Sequence, residues 1–215
     1  MTAVPRRTLA LALLLVGTPL LALFAPWTEA LGATTGVVCV WLAARSDFWT
    51  WPVGIANNLL YLVVFWQSRI YADSLLQLVY VAISLYGIWR WRSGRGEFAV
   101  RPVERVGAAE KWTVLAVVAA LAVVFALLLA RWSDSDVPWA DGLTTALSLG
   151  AQWLMSRRML ENWWVWIAVD VVYVGLYLAK GLAATALLYG MFTALAISGL
   201  LAWRRSLASA PGAFE

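Results

Sequence analysis

Histidine is absent from all 215 residues of the chain, and cysteine occurs once, at Cys39. The first absence removes the commonest metal ligand and the side chain that shuttles protons near neutral pH. The second closes disulfide pairing and cysteine-metal sites within the chain, and Cys39 itself stands inside an apolar run. Charge is scarce as well: 13% of the residues carry it, against about 25% in an average soluble domain. Hydrophobic residues take its place, at 63% of the chain. The net charge of +4 would suit nucleic acid if the basic residues formed a patch. They stand between apolar runs instead, as membrane topology requires. The expected surroundings are lipid, with no nucleic-acid partner, no metal and no cofactor.

A membrane-crossing helix needs roughly 20 mostly apolar residues. Spans are expected near 8–25, 28–44, 49–67, 70–91, 112–131, 138–156, 160–179 and 182–203. The first has two readings. Pro5, Arg6 and Arg7 before a leucine-rich run resemble a signal peptide, but Pro26-Trp27 is a poor cleavage site. An uncleaved N-terminal helix is expected. With the N-terminus inside, every basic residue except Arg69, Arg131 and Lys180 falls on the cytoplasmic side. The chain is therefore expected in a cell inner or plasma membrane, multi-pass, with a cytoplasmic C-terminus. Many of the 15 tryptophans, such as Trp27, Trp66, Trp112 and Trp132, mark span ends, where interfacial anchors belong. Trp163, Trp164 and Trp166 are too clustered for anchoring alone.

Shifting the chain by 112 residues aligns it with itself without gaps. Trp41 meets Trp153, Trp51 meets Trp163, Tyr61 meets Tyr173, Gly87 meets Gly199, and Trp91-Arg92 meets Trp203-Arg204. Leucine matches are cheap in such a composition; Trp, Tyr, Gly and Arg in one register are not. The offset holds four spans, so both copies run the same way through the membrane. The expected fold is an all-α integral membrane protein, a 3+1+3 parallel-repeat bundle with an additional N-terminal helix. Its parts are an N-terminal hydrophobic helix (1–27), a first three-helix repeat (28–91), a cytoplasmic loop (92–111), a linker helix (112–131), a second repeat (132–205) and a tail (206–215). Repeats of this kind are common in transporters, although a repeat can also be kept for packing alone.

Polar side chains are costly in hydrocarbon, so their angular positions matter. At about 100° per residue, Trp163, Trp166, Asp170, Tyr173 and Tyr177 fall within roughly 80° on one helix. Asp73, Gln77, Tyr80, Ser84 and Gly87 do the same on another, Asn57, Asn58 and Tyr61 form a shorter stripe, and Asp141, Thr145, Ser148 and Gln152 a fourth. Four wet helix faces point to a shared cavity. The competing reading is hydrogen-bonded glue between helices, which suits Ser84, Thr145 and Ser148. Asp170 is different: it stands midway along its span with no lysine or arginine at similar depth, and an unpaired carboxylate there costs at least about 2.5 kcal/mol. Asp73, near its span's end, suits a helix N-terminus instead. Indole faces attract flat rings and cations, and Asn57, Asn58 and Gln77 offer donors and acceptors to hydroxyl and carboxamide groups. Asp170 is open to three readings, hydrogen-bonded, protonated or facing a cavity that receives a cation, and a flat ring bearing hydroxyls, cationic on the last of these, fits better than an ion or a lipid.

The segment Trp51-Pro-Val-Gly-Ile-Ala-Asn-Asn-Leu-Leu-Tyr61, with Tyr71-Ala-Asp73, Leu76-Gln77 and Tyr80 beyond it, resembles the PnuC family of vitamin transporters. So do Glu161-Asn-Trp163-Trp-Val-Trp166, Asp170, Tyr177, Lys180-Gly-Leu182, Thr185-Ala186 and Tyr189. The matching stretches cover about 45–92 and 157–205. The resemblance implies a 3+1+3 plan like that of the SWEET transporters, a homotrimer, and facilitated diffusion of nicotinamide riboside trapped by intracellular phosphorylation. It implies that Trp163 and Trp166 contact the ring, with Asn58, Gln77 and Asp170 near the ligand. Asn57, Tyr61, Tyr80, Tyr173 and Tyr177 complete the expected substrate-binding set. Related members take thiamine, riboflavin or deoxynucleosides, and family members can carry Asn where this chain has Asp170. An enzyme is disfavoured, since Asp170 has no second acid on its face for acid–base work.

Overall fold

The computed structural model describes residues 6–23, 26–69, 71–92, 101–133 and 135–209. Among them are eight helices: α1 (Arg6–Leu21), α2 (Trp27–Ala44), α3 (Thr50–Gln67), α4 (Tyr71–Arg92), α5 (Ala108–Trp132), α6 (Pro138–Ser156), α7 (Asn162–Ala179) and α8 (Ala183–Ala208). Each coincides with one expected span. By length and composition α2, α5, α7 and α8 are long and apolar enough to cross a membrane. The middle of the expected loop, 93–100, and the end of the expected tail, 210–215, lie outside the described residues. Helix α5 begins four residues earlier than the apolar run, because Ala108, Ala109, Glu110 and Lys111 are good helix formers and Glu110 faces the positive end of the helix dipole.

The chain forms two compact units, residues 1–89 and 90–215. In the first, α1 packs on α2 around Ala10, Val38 and Leu42, with Leu14, Trp41 and Val53 alongside. Cys39 is held against the start of α3, where its thiol donates to the Thr50 carbonyl at 3.3 Å while the Thr50 hydroxyl donates to the Cys39 carbonyl at 3.0 Å. In the second unit α5 and α6 approach closely at Gly142, where an added Cβ would stand 2.5 Å from the Ala126 backbone nitrogen. Small residues at such crossings let membrane helices pack backbone to backbone.

The offset of 112 reappears in the backbone. Helix α3 shifted by 112 is α7, end for end. Ser46 (φ 55°) and Arg158 (φ 59°) occupy the left-handed region at matching turns, and so do Arg69 (φ 62°) and Gly181 (φ 74°). Both of the first two turns close by the same pair of bonds. Asp47 N donates to Leu42 O at 2.9 Å and Met159 N to Leu154 O at 3.0 Å; Ser46 N donates to Ala43 O and Arg158 N to Met155 O, each at 2.9 Å. This is the left-handed helix stop usually built on glycine. One joint is duplicated atom for atom: a Cβ on Gly87 would meet Trp51 at 2.6 Å, and a Cβ on Gly199 would meet Trp163 at 2.6 Å.

Candidate substrate site

The expected site residues separate into those already engaged and those left open. In the first unit, α3 carries Asn57, Asn58 and Tyr61, and α4 carries Gln77 and Tyr80. Helix α4 is tied to α3 by the Ser74 hydroxyl, which donates to the Leu62 carbonyl at 2.8 Å. Asn57 spends its amide on α2, donating to the Gly32 carbonyl at 2.9 Å and to the Thr35 hydroxyl at 2.7 Å. Tyr61 leans on Gly32, where a Cβ would fall 2.6 Å from its hydroxyl, and stacks on Phe65 at 5.4 Å. Asn58 and Gln77 are half-buried, and neither makes a side-chain hydrogen bond among the described residues. Of the two adjacent asparagines, one fastens helices and the other is open.

In the second unit, Trp163 is wholly buried. Its ring meets Trp203 edge-on at 5.4 Å, and Trp203 meets Trp91 at 6.0 Å. The Trp91 indole donates to the Met155 carbonyl at 3.2 Å. Arg158, 3% exposed, lays its guanidinium over Trp91 at 4.7 Å and over Trp203 at 5.1 Å. Burial brings that guanidinium down to about 10 from its ordinary range, and the two indole faces offset part of the cost. The segment 101–106 straps this end: Glu104 N donates to Arg158 O at 3.1 Å, Leu160 N to Glu104 O at 2.9 Å, and Val106 N to the Glu161 carboxylate at 3.0 Å. Arg157 pairs with Glu110.

Further along the same face of α7 stands Trp166, half-buried, its indole nitrogen enclosed without a hydrogen-bond partner among the described residues. One turn on is Asp170, 5% exposed. The ion pairs Arg101–Glu104, Arg157–Glu110 and Lys180–Asp136 leave Asp170 out, and no hydrogen bond reaches its carboxylate among the described residues. Beyond it, Tyr173 and Tyr177 stack at 5.8 Å, and Tyr189 of α8 lies 4.7 Å from the first and 5.3 Å from the second. Asp73 lies in the first turn of α4 and is exposed, as a dipole-facing acid should be.

The repeat register sharpens the picture. At an offset of 112, Asn58 corresponds to Asp170, Gln77 to Tyr189, Tyr80 to Phe192, and Gly54 to Trp166. The open polar residues of one repeat thus fall on the acid and the rings of the other. Tyr189 and Arg158 are absent from the expected site residues. Tyr189 was findable by carrying Gln77 through the repeat; Arg158 had no sequence signal beyond its place in a basic pair.

The model of the nicotinamide mononucleotide transporter family matches residues 26–205. The chain is 31% identical over 180 residues to the riboflavin/roseoflavin transporter RibM of Streptomyces davaonensis, covering 82% of this chain and 84% of that one. It is 27% identical over 208 residues to the nicotinamide riboside transporter PnuC of Escherichia coli, covering 84% and 86%. The fold is similar to the crystal structure of the vitamin B3 transporter PnuC, with a TM-score of 0.72, 24% identity, and 94% and 92% of the two chains covered. Since the matched region takes in both repeats and every open polar residue described above, the chain belongs to the nicotinamide mononucleotide transporter family, a family of membrane transporters.

Proposed function

We propose that this chain carries nicotinamide riboside across the membrane by facilitated diffusion, with Trp166 and Asp170 receiving the pyridinium ring, and that Asn58 and Gln77 are the substrate-binding residues of the first repeat, suited to hydroxyl and carboxamide groups. The single observation behind this reading is Asp170: a buried carboxylate with no ion pair or hydrogen bond among the described residues. Leaving such a group unpaired is expensive, and a substrate that brings its own positive charge repays the cost. Relatives that transport nicotinamide riboside support the choice. The second reading is riboflavin, favoured by the higher identity to a riboflavin transporter. Riboflavin is a flat but neutral ring, so it leaves Asp170 without a counter-charge.

The reading extends to organisation. The chain is two parallel three-helix repeats, α2–α4 and α6–α8, joined by α5 and preceded by α1, in a 3+1+3 plan, with loop 92–111 and the C-terminus cytoplasmic. It assembles as a homotrimer, and phosphorylation of the substrate inside the cell draws uptake forward. No catalytic step is assigned to the chain itself. The test is a titration of the purified protein with nicotinamide riboside, thiamine and riboflavin. Nicotinamide riboside should bind most tightly; tightest binding of riboflavin would replace it as the substrate.

A further inference from the structure

Asp170 lies between two aromatic clusters of different build. On the side toward the start of α7, Trp163 fills the space over Gly199 with no room for a single added carbon. It is backed by Trp203, Trp91 and Arg158, and the strap through Glu104 ties down the turn beneath. Moving that cluster would break backbone hydrogen bonds and open a large buried gap, so it is a fixed floor.

The cluster on the other side is made differently. Tyr173 and Tyr177 are one and two turns beyond Asp170 on its own face, about 5 and 10 Å along the axis. Tyr189 of α8 closes on both, its plane within 22° of Tyr177, and Phe192 meets Tyr189 edge-on at 5.8 Å. All three tyrosines are half-buried rather than buried. The glycines nearest them in sequence, Gly175 on α7 and Gly190 on α8, have nothing within 4 Å of where a Cβ would be. Ring-to-ring distances of 4.7 to 5.8 Å leave no slot for another flat ring, which needs about 3.5 Å on each face. The stack is a closure and not a cage. The first repeat supplies the contrast: Tyr61 and Phe65, in the register of Tyr173 and Tyr177, stack the same way at 5.4 Å, but Gln77 stands where Tyr189 completes the trio.

We propose that Tyr173, Tyr177 and Tyr189 form a gate over Asp170 at the C-terminal end of α7, with Tyr189 as its moving leaf. A side-chain rotation of Tyr189 on α8 exchanges its ring contacts with Tyr173, Tyr177 and Phe192 and breaks no backbone bond, which suits the opening of a transport gate. The gate deepens the transport reading, because a buried acid that serves a substrate needs a route that opens. It also gives Tyr173 and Tyr177 a role other than ligand contact.

The test requires no substrate. In full-length protein carrying Cys39→Ser and Asp170→Cys, the rate of modification by a small, positively charged methanethiosulfonate reagent reads how often the gate opens. Adding Tyr189→Ala should raise that rate about tenfold or more, since its ring contacts are lost, whereas Tyr189→Phe, which keeps the ring, should raise it far less. Equal rates with Tyr189 and with Tyr189→Ala would overturn the gate. If Tyr189→Ala does not elute as folded protein, Tyr177→Ala is read the same way, and an unchanged rate there overturns it equally. A faster rate here, together with no binding of nicotinamide riboside or riboflavin by the protein that keeps Asp170, would uphold the gate and remove the substrate assignment.

Discussion

The two repeats share a skeleton and differ in what they hang on it. Trp51 over Gly87 and Trp163 over Gly199 are the same joint to a tenth of an ångström or so, and the left-handed turns at Ser46 and Arg158 are the same stop. Three and seven residues past each tryptophan the copies differ: the first has Gly54 and Asn58, the second Trp166 and Asp170. Duplication preserves what packing dictates, because a tryptophan seated on a glycine tolerates no larger partner. It releases the positions that touch neither neighbour, and there the chemistry diverges. At these positions the first repeat carries Asn58 and Gln77, the second Asp170 and Tyr189.

The sharpest way to break this comparison is at the shared joint. Trp51→Ala and Trp163→Ala should each cost about 3–5 kcal/mol, the range for emptying a tryptophan-sized space, read as thermal unfolding in detergent. A large loss for one and none for the other would end the claim that the joints are equivalent. The next effect lies where the copies differ. Asp170→Asn, which gives the second repeat the first repeat's residue, should weaken nicotinamide riboside binding by about 10- to 100-fold, the scale of a charge-assisted contact. Riboflavin binding should change little. Equal losses for the two ligands would remove the counter-ion role.

Smaller effects separate the adjacent asparagines. Asn57→Ala should cost about 1–2 kcal/mol of stability through its two lost bonds to α2, whereas Asn58→Ala should leave stability alone and lower affinity. The reverse pattern would exchange their roles. The smallest effect belongs to the exposed pair Lys180–Asp136. The Lys180 bond holds the Asp136 carboxyl below the usual aspartate range, and the same bond lifts Lys180. The pair's contribution is therefore present near neutral pH, fades in acid as Asp136 is protonated, and fades in strong base as Lys180 is deprotonated. Exposed pairs contribute little, so Asp136→Asn should flatten only a shallow acid slope in unfolding temperature. A steep slope that survives the substitution would point to another group.

How much of the site could be read in advance depended on the kind of constraint. The stripe from Trp163 to Tyr177 was visible because helical period and the cost of polarity in lipid are properties of the chain itself. The depth of Trp163 was not, since a tryptophan on a polar stripe looks the same whether it faces a ligand or a glycine on another helix. Asn57 and Asn58 were indistinguishable on paper for the same reason: one residue apart, they point about 100° apart, and only the position of α2 decides which is used up. The Arg158 shelf under Trp91 and Trp203 needs three segments far apart in the chain, and no local pattern announces it.

By itself the sequence determined the membrane character, the eight helices seen among the described residues and their boundaries to within a few residues, because hydrophobic run length and periodicity act locally along the chain. Tertiary structure alone decided which polar groups are already satisfied. That depends on which atoms of other helices arrive within hydrogen-bonding distance, and the same residue type reads identically before they do.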